Sequence, residues 1–188
     1  MTPARILPAL LLCLLPVCIH AETAEEKALA IAMEADNRDS GFVDFTNDTK
    51  MILRNKQGQE SIRLIRSKTL EVDGDGDKSL TIFDEPNDVK GTALLSFTHK
   101  QGPDDQWLYL PALKRVKRIA SNNKSGPFMG SEFAYEDITS QEVEKYTYNY
   151  LRDDSFDGMD VFVFEGYPVD EKSGYTRQII WMDKEHYK

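Results

Sequence analysis

Cysteine is almost missing from this 188-residue chain: Cys13 and Cys18 are the only two. Both fall in the first 21 residues, so a chain cleaved after Ala21 has no disulfide, thiol nucleophile or thiolate metal site. Histidine is nearly as scarce, with three in all. His20 sits in the same leading segment. His99 and His186 lie far apart with no second ligand at metal spacing, so no metal site is expected. Positive charge is also in deficit. The net charge is −9, and a phosphate-binding surface needs the opposite sign, so nucleic acid is excluded as the main partner. No Gly-x-Ser-x-Gly elbow occurs; Ser125-Gly126 and Gly130-Ser131 merely flank Phe128. Carboxylates are so numerous that no one pair signals glycoside chemistry. No catalytic residue and no cofactor are expected, and the protein reads as a non-enzyme. Tandem repeats and low-complexity tracts are absent.

The leading 21 residues carry what the rest lacks. Arg5 supplies a positive start, and Ile6 to Ile19 form a Leu-rich stretch broken by Pro8 and Pro16. Ala21 ends it, just before Glu22. This pattern predicts a secretory signal cleaved after Ala21, too short to span a bilayer. Leu15-Pro16-Val17-Cys18 only faintly resembles a lipoprotein signal, because Val17 stands where a small residue belongs. Residues 22–188 are long enough for one domain with a real core. Charged residues make up 29% and apolar residues 40%, which marks a globular chain. Such a core makes export without disulfides unexceptional.

Thr23 to Asp39 predicts a helix. Thr23 and Glu26 form a capping box. Ala28, Leu29, Ala32, Met33 and Ala35 supply an apolar stripe, and Gly41 a stop. Strands follow. Phe42–Leu53 and Glu60–Val72 flank the polar turn Asn55–Gln59 and read as an antiparallel pair. Ile62, Leu64, Leu70 and Val72 share one register with Arg66 and Lys68, which mark an edge, a sheet end or a strand whose middle faces water. Asp73-Gly74-Asp75-Gly76-Asp77 alternates carboxylates like a calcium loop. However, Lys78 stands where that loop needs glycine, so a solvated hairpin turn is expected. Ser79–Phe83, Glu142–Arg152, Met159–Tyr167 and Tyr175–Met182 complete the strands. Glu132–Ile138 predicts about two helical turns capped by Ser131. The whole suggests an antiparallel sheet of eight or nine strands.

Gly91–Ile138 is the centre of the chain. Thr92–Phe97 and Trp107–Pro111 are apolar at consecutive positions, so both faces of this hairpin need covering. One face packs on ordinary core; the other calls for a lid, a partner or a greasy ligand. Lys114, Arg115, Lys117 and Arg118 follow as the one basic island. They read as a solvated strand face or as a contact for headgroups or an acidic partner, with Val116 and Ile119 turned away from solvent.

Trp107–Ile119 and Phe128–Asp137 resemble signatures of the outer-membrane lipoprotein-sorting protein family, LolA-like periplasmic carriers. Asp77–Leu80 and Gly91–Leu95 add two shorter matches in the same order. The resemblance implies an α+β, mainly antiparallel fold: a curved, incomplete β-barrel with helices covering the open side. It implies a periplasmic protein whose apolar concave face holds acyl chains of lipids or lipoproteins for transfer toward the outer membrane, with transient membrane contact. Such proteins often accompany RND or MMPL-type transporters, so a docking adaptor without lipid cargo is the alternative. Members generally continue with several strands beyond the Trp181 region; a chain without them would form a more open barrel. Leu94, Phe97, Leu108, Leu110, Phe128, Phe133, Phe162, Phe164 and Trp181 are the candidates for lining a cavity or core. Lys114, Arg115, Lys117 and Arg118 are the candidates for headgroup or partner contact.

Overall fold

A computed structural model describes residues 21–188. The expected signal, with Arg5, both cysteines and His20, lies outside the described residues apart from Ala21. Among the described residues no helix is long and apolar enough to cross a membrane.

Helix α1, Ala24–Asp39, begins as its sequence dictates. Thr23 Oγ1 accepts the Glu26 N–H at 3.1 Å, and the Glu26 carboxylate accepts the Thr23 N–H at 2.9 Å, which satisfies two amides that have no intrahelical partner. Ala28, Ile31 and Ala32 are its buried residues, whereas Leu29 and Met33 of the expected stripe face solvent.

Nine strands follow, in two open sheets rather than the single sheet expected. β1 (Asp44–Arg54), β2 (Glu60–Leu70), β3 (Lys78–Glu85), β4 (Ala93–Phe97), β5 (Asp105–Leu110) and β6 (Arg115–Ile119) lie in sequence order, each antiparallel to the next. β7 (Tyr146–Phe156), β8 (Met159–Pro168) and β9 (Gln178–Asp183) form the second sheet. The separation arises between β6 and β7. There Ala120–Lys145 spends its backbone hydrogen bonds on four short 3-10 turns and offers no strand to bridge the sheets. Neither sheet closes, in keeping with the incomplete barrel expected.

Glu132–Ile138 is not the expected two-turn helix. Only a 3-10 turn forms, at Tyr135–Ile138. Ser131 does not cap it: its Oγ donates to the Phe128 carbonyl at 2.7 Å and accepts the Phe133 N–H at 3.2 Å. The Asp137 carboxylate takes the Ala134 N–H instead, at 2.7 Å. Helical turning therefore starts three residues late, because the preceding backbone is held in a tight local loop.

Strand alternation gives each sheet two faces. On the covered face of the six-stranded sheet, Ile65, Phe83, Leu94, Leu108 and Ile119 pack with Phe128, flanked by Met129, Tyr135 and Ile138 from the β6–β7 connection. The register of Ile62, Leu64 and Leu70 lies on the open face, where all three are exposed. Helix α1 covers the other sheet: Ala28 and Ile31 pack on Phe164, with Tyr148, Phe162 and Ile180 around them.

Candidate functional site

The covered face of the six-stranded sheet is divided. Its apolar half is filled. Phe128 lies tilted at 43° with its ring 5.7 Å from that of Phe83 and edge-on at 5.5 Å from Tyr135, and with 1% exposure it closes the cluster. The chain reaches that position through Met129, which adopts a left-handed φ of 50°. The other half is polar. Ser67, Thr69, Ser79 and Thr81 line a hollow of about 710 Å³, together with the end of α1 and the 137–142 segment. Ser67 and Thr81 share a hydroxyl hydrogen bond at 3.2 Å.

The open face carries the apolar surface. Leu80, Ala93, Leu95, Phe97, Trp107, Tyr109 and Val116 line a hollow of about 310 Å³. Register explains the cluster: Leu80 pairs with Leu95, Leu95 with Trp107, and Tyr109 with both Ala93 and Val116. Phe97 meets Trp107 edge-on at 5.2 Å. Cations border it. Lys78 Nζ stands 4.9 Å over the Phe97 ring, and Arg118, paired across from Trp107, binds the Asp105 carboxylate. A second apolar hollow, about 540 Å³, lies on the β8–β9 face away from α1, lined by Phe156, Met159, Val161 and Trp181.

His99 ties the site's loops together. Its Nδ1 lies 2.8 Å from Asp75 Oδ2, and its Nε2 lies 3.6 Å from Asp105. Asp75 also accepts the Lys100 N–H, so this carboxylate of the 73–77 turn serves the β4–β5 loop. The hydrogen bond with His99 draws the Asp75 carboxyl down to about 2, and the same bond raises the imidazole. Burial pushes Asp77 and Glu142 above the usual carboxylate range.

The structure distributes the nine apolar candidates widely. Leu94, Leu108, Leu110 and Phe128 are in the filled cluster, and Phe162 and Phe164 pack under α1. Phe97 lines the open-face hollow, and Trp181 lines the β8–β9 hollow. Phe133 is 53% exposed and in neither. The basic quartet is split by strand alternation. Val116 and Arg118 share the open face, Arg115 and Lys117 the other, and Lys114 sits in a left-handed turn before β6. Val116 therefore faces solvent, contrary to expectation, while Ile119 is buried. Sequence reasoning missed Leu80, Leu95, Trp107 and Tyr109. The signal was present, since consecutive apolar residues in both strands already demanded a second greasy face. It also missed Glu142, which nothing local distinguishes.

A family model described only as that of an uncharacterized protein matches residues 75–188. Among curated proteins there is no match. Solved structures do match. An outer membrane lipoprotein-sorting protein domain from Vibrio parahaemolyticus shares 62% identity at a TM-score of 0.85, over 87% of this chain and 69% of its own. A DUF1329 family protein from Desulfovibrio piger shares 30% identity at a TM-score of 0.80, over 86% of this chain and 69% of its own. A LolA superfamily protein from Nitrosomonas europaea has the same fold at 20% identity and a TM-score of 0.63, over 86% of this chain and 68% of its own.

Proposed function

This chain belongs to the outer-membrane lipoprotein-sorting protein family, and on that footing we propose that it is an exported, non-enzymatic periplasmic carrier that shelters acyl chains of lipids or lipoproteins. The covered face, where the resemblance put the acyl chains, is filled by the protein's own side chains in its apolar half and polar in the rest, so the observation that carries the reading is the apolar hollow on the open face of the six-stranded sheet. Seven neutral side chains from four adjacent strands line it, and cations stand at its border. That is the arrangement an acyl chain with an anionic headgroup would use. Hydrocarbon burial contributes about 0.8 kcal/mol per methylene, so about a dozen sheltered carbons offset the ordering costs of binding without a polar anchor. Arg118 and Lys78 would meet the headgroup, and the exposed edge would touch a membrane transiently.

The protein contains two tryptophans, and each lines one of the two apolar hollows. Brominated fatty acids should therefore quench Trp107 emission, and a Trp181→Phe variant isolates that signal. Native mass spectrometry of protein purified from the periplasm should show bound lipid that mild extraction removes. Protein that is always empty and whose Trp107 is never quenched would sink the carrier.

A second reading, docking on an RND or MMPL-type transporter, is favoured by β6. It is the edge of its sheet and exposes Lys114, Arg115 and Lys117. Edge cations also simply block strand addition. Charge reversal at Arg115 and Lys117 should abolish co-purification with the transporter while lipid uptake persists. Unchanged co-purification would dismiss docking.

A further inference from the structure

The polar hollow under the covered face is a separate surface from the apolar hollow on the open face. Eight carboxylate side chains and one cation, Lys100, line it; of the eight, Asp39 is paired with Lys188 and Asp75 with His99. Acidic linings by themselves are common in a chain of net charge −9. Glu142 sets this one apart. It is 6% exposed, it lines the hollow, and among the described residues no hydrogen bond or ion pair reaches its carboxylate. Its stem is buried, but its carboxylate oxygens reach the hollow, since among the described residues no side-chain oxygen shut off from solvent lacks a partner; the tip is therefore free to accept a donor from a ligand. The neighbouring cations hold other carboxylates, Lys145 that of Asp104 and Lys100, more loosely, that of Glu144 at 4.0 Å, and both favour the charged form of Glu142 from a distance. Gly76 makes the space. A Cβ there would stand 2.8 Å from Glu142 Oε1 and 2.7 Å from the Thr98 carbonyl. Asp77 and Asp36 add negative potential at the Glu142 carboxyl.

We propose that this hollow binds an aliphatic oligoamine, with Glu142 accepting hydrogen bonds from one ammonium group and Asp77 and Asp36, the latter near the end of α1, receiving the others. Three features select that class. The carboxylates are dispersed over segments 36–39, 71–77 and 137–142. Among the described residues no group of three or more His, Cys, Asp or Glu converges as a metal cage does. The walls also include Phe42, Phe45, Val72 and Ile138, apolar surface suited to the methylene spacers between amines. The volume of about 710 Å³ lies within the range of small-ligand sites. This site and the acyl hollow use opposite faces of the sheet, so either stands without the other.

The test is isothermal titration of the purified protein with spermidine at low ionic strength. Wild type should show saturable binding. Glu142→Gln should weaken it about tenfold or more, since a charge-assisted hydrogen bond is lost, while the melting temperature stays level or rises and fatty-acid quenching of Trp107 is unchanged. Should Glu142→Gln fail to fold, Asp77→Asn carries the same expectation. Asp157→Asn, in the β7–β8 turn, should bind as wild type. The proposal is overturned by any of four results: no saturable binding to wild type, Glu142→Gln binding as tightly as wild type, equal weakening in Asp157→Asn, or magnesium alone binding with the same dependence on Glu142.

Discussion

Replacing Phe128 by alanine should cost this protein more stability than its neighbourhood in the sequence suggests. The side chain is 1% exposed and touches Phe83 and Tyr135 at ring distances of 5.7 and 5.5 Å. Losing its burial forfeits roughly 1.5–3 kcal/mol of transfer free energy. Each aromatic contact adds about 0.5–1.5 kcal/mol, and the void left behind adds more. A total of about 3–5 kcal/mol follows. The cavity cannot readily collapse. Phe83 and Leu94 are held by strand pairing, and the loop over Phe128 is tied by Ser131 and by the Phe128 N–H bond to the Phe133 carbonyl at 2.6 Å. Phe133 is the internal control. Five residues on, it is half exposed, and Phe133→Ala should stay within about 0.5 kcal/mol of wild type. Urea unfolding followed by tryptophan emission would give both values from the midpoint at constant slope. A Phe128→Ala loss below about 1 kcal/mol with the slope unchanged would show that the covered face is not closed by this residue.

Phe97→Asp should abolish fatty-acid quenching of Trp107 with little loss of stability, because the ring lies on the open face; retained quenching would move the acyl site elsewhere. His99, raised by its bond to Asp75, stabilises the fold fully below its unfolded value of about 6.5, and that stability is lost as pH rises through its higher folded value. A His99→Asn variant should therefore trail wild type most at acid pH and converge with it at alkaline pH, and a pH-independent gap would refute the linkage. The raised Glu142 carboxyl works in the opposite sense. Its charged form destabilises above the folded pKa, and the penalty fades as pH falls toward the ordinary carboxylate value, in the field of Asp77, Asp36, Lys100 and Lys145. Melting temperatures of Glu142→Gln should accordingly exceed wild type at neutral pH and match it in acid; a lower value at neutral pH would mean that the carboxylate is paired after all. Val43, β-branched with a left-handed φ of 68°, should tolerate glycine with a gain of about 1 kcal/mol, read from chemical unfolding; a loss would indicate that the valine side chain packs.

Local chemistry sufficed for much of the architecture. The Thr23–Glu26 box set the start of α1. The Asn55–Gln59 turn paired β1 with β2, and the two apolar runs of the central stretch became β4 and β5 in register. The four motifs pointed to the family of the lipoprotein-sorting domain that shares 62% identity with this chain. Each of these is a short-range pattern of capping, turn or alternation, and such patterns survive without tertiary information. Which face of a strand is covered is a different matter. Alternation distinguishes Ile62 and Leu64 from Ile65 but does not say which set meets the core. That choice was made by Phe128, Tyr135 and Ile138, which arrive from over sixty positions away. The same long-range packing buried Phe128 and exposed Phe133, split the basic quartet across β6, and gathered Asp36, Asp77 and Glu142 around one hollow. Burial and electric field depend on neighbours in space, so the greasy open face and the unpaired carboxylate came into being only when the chain folded.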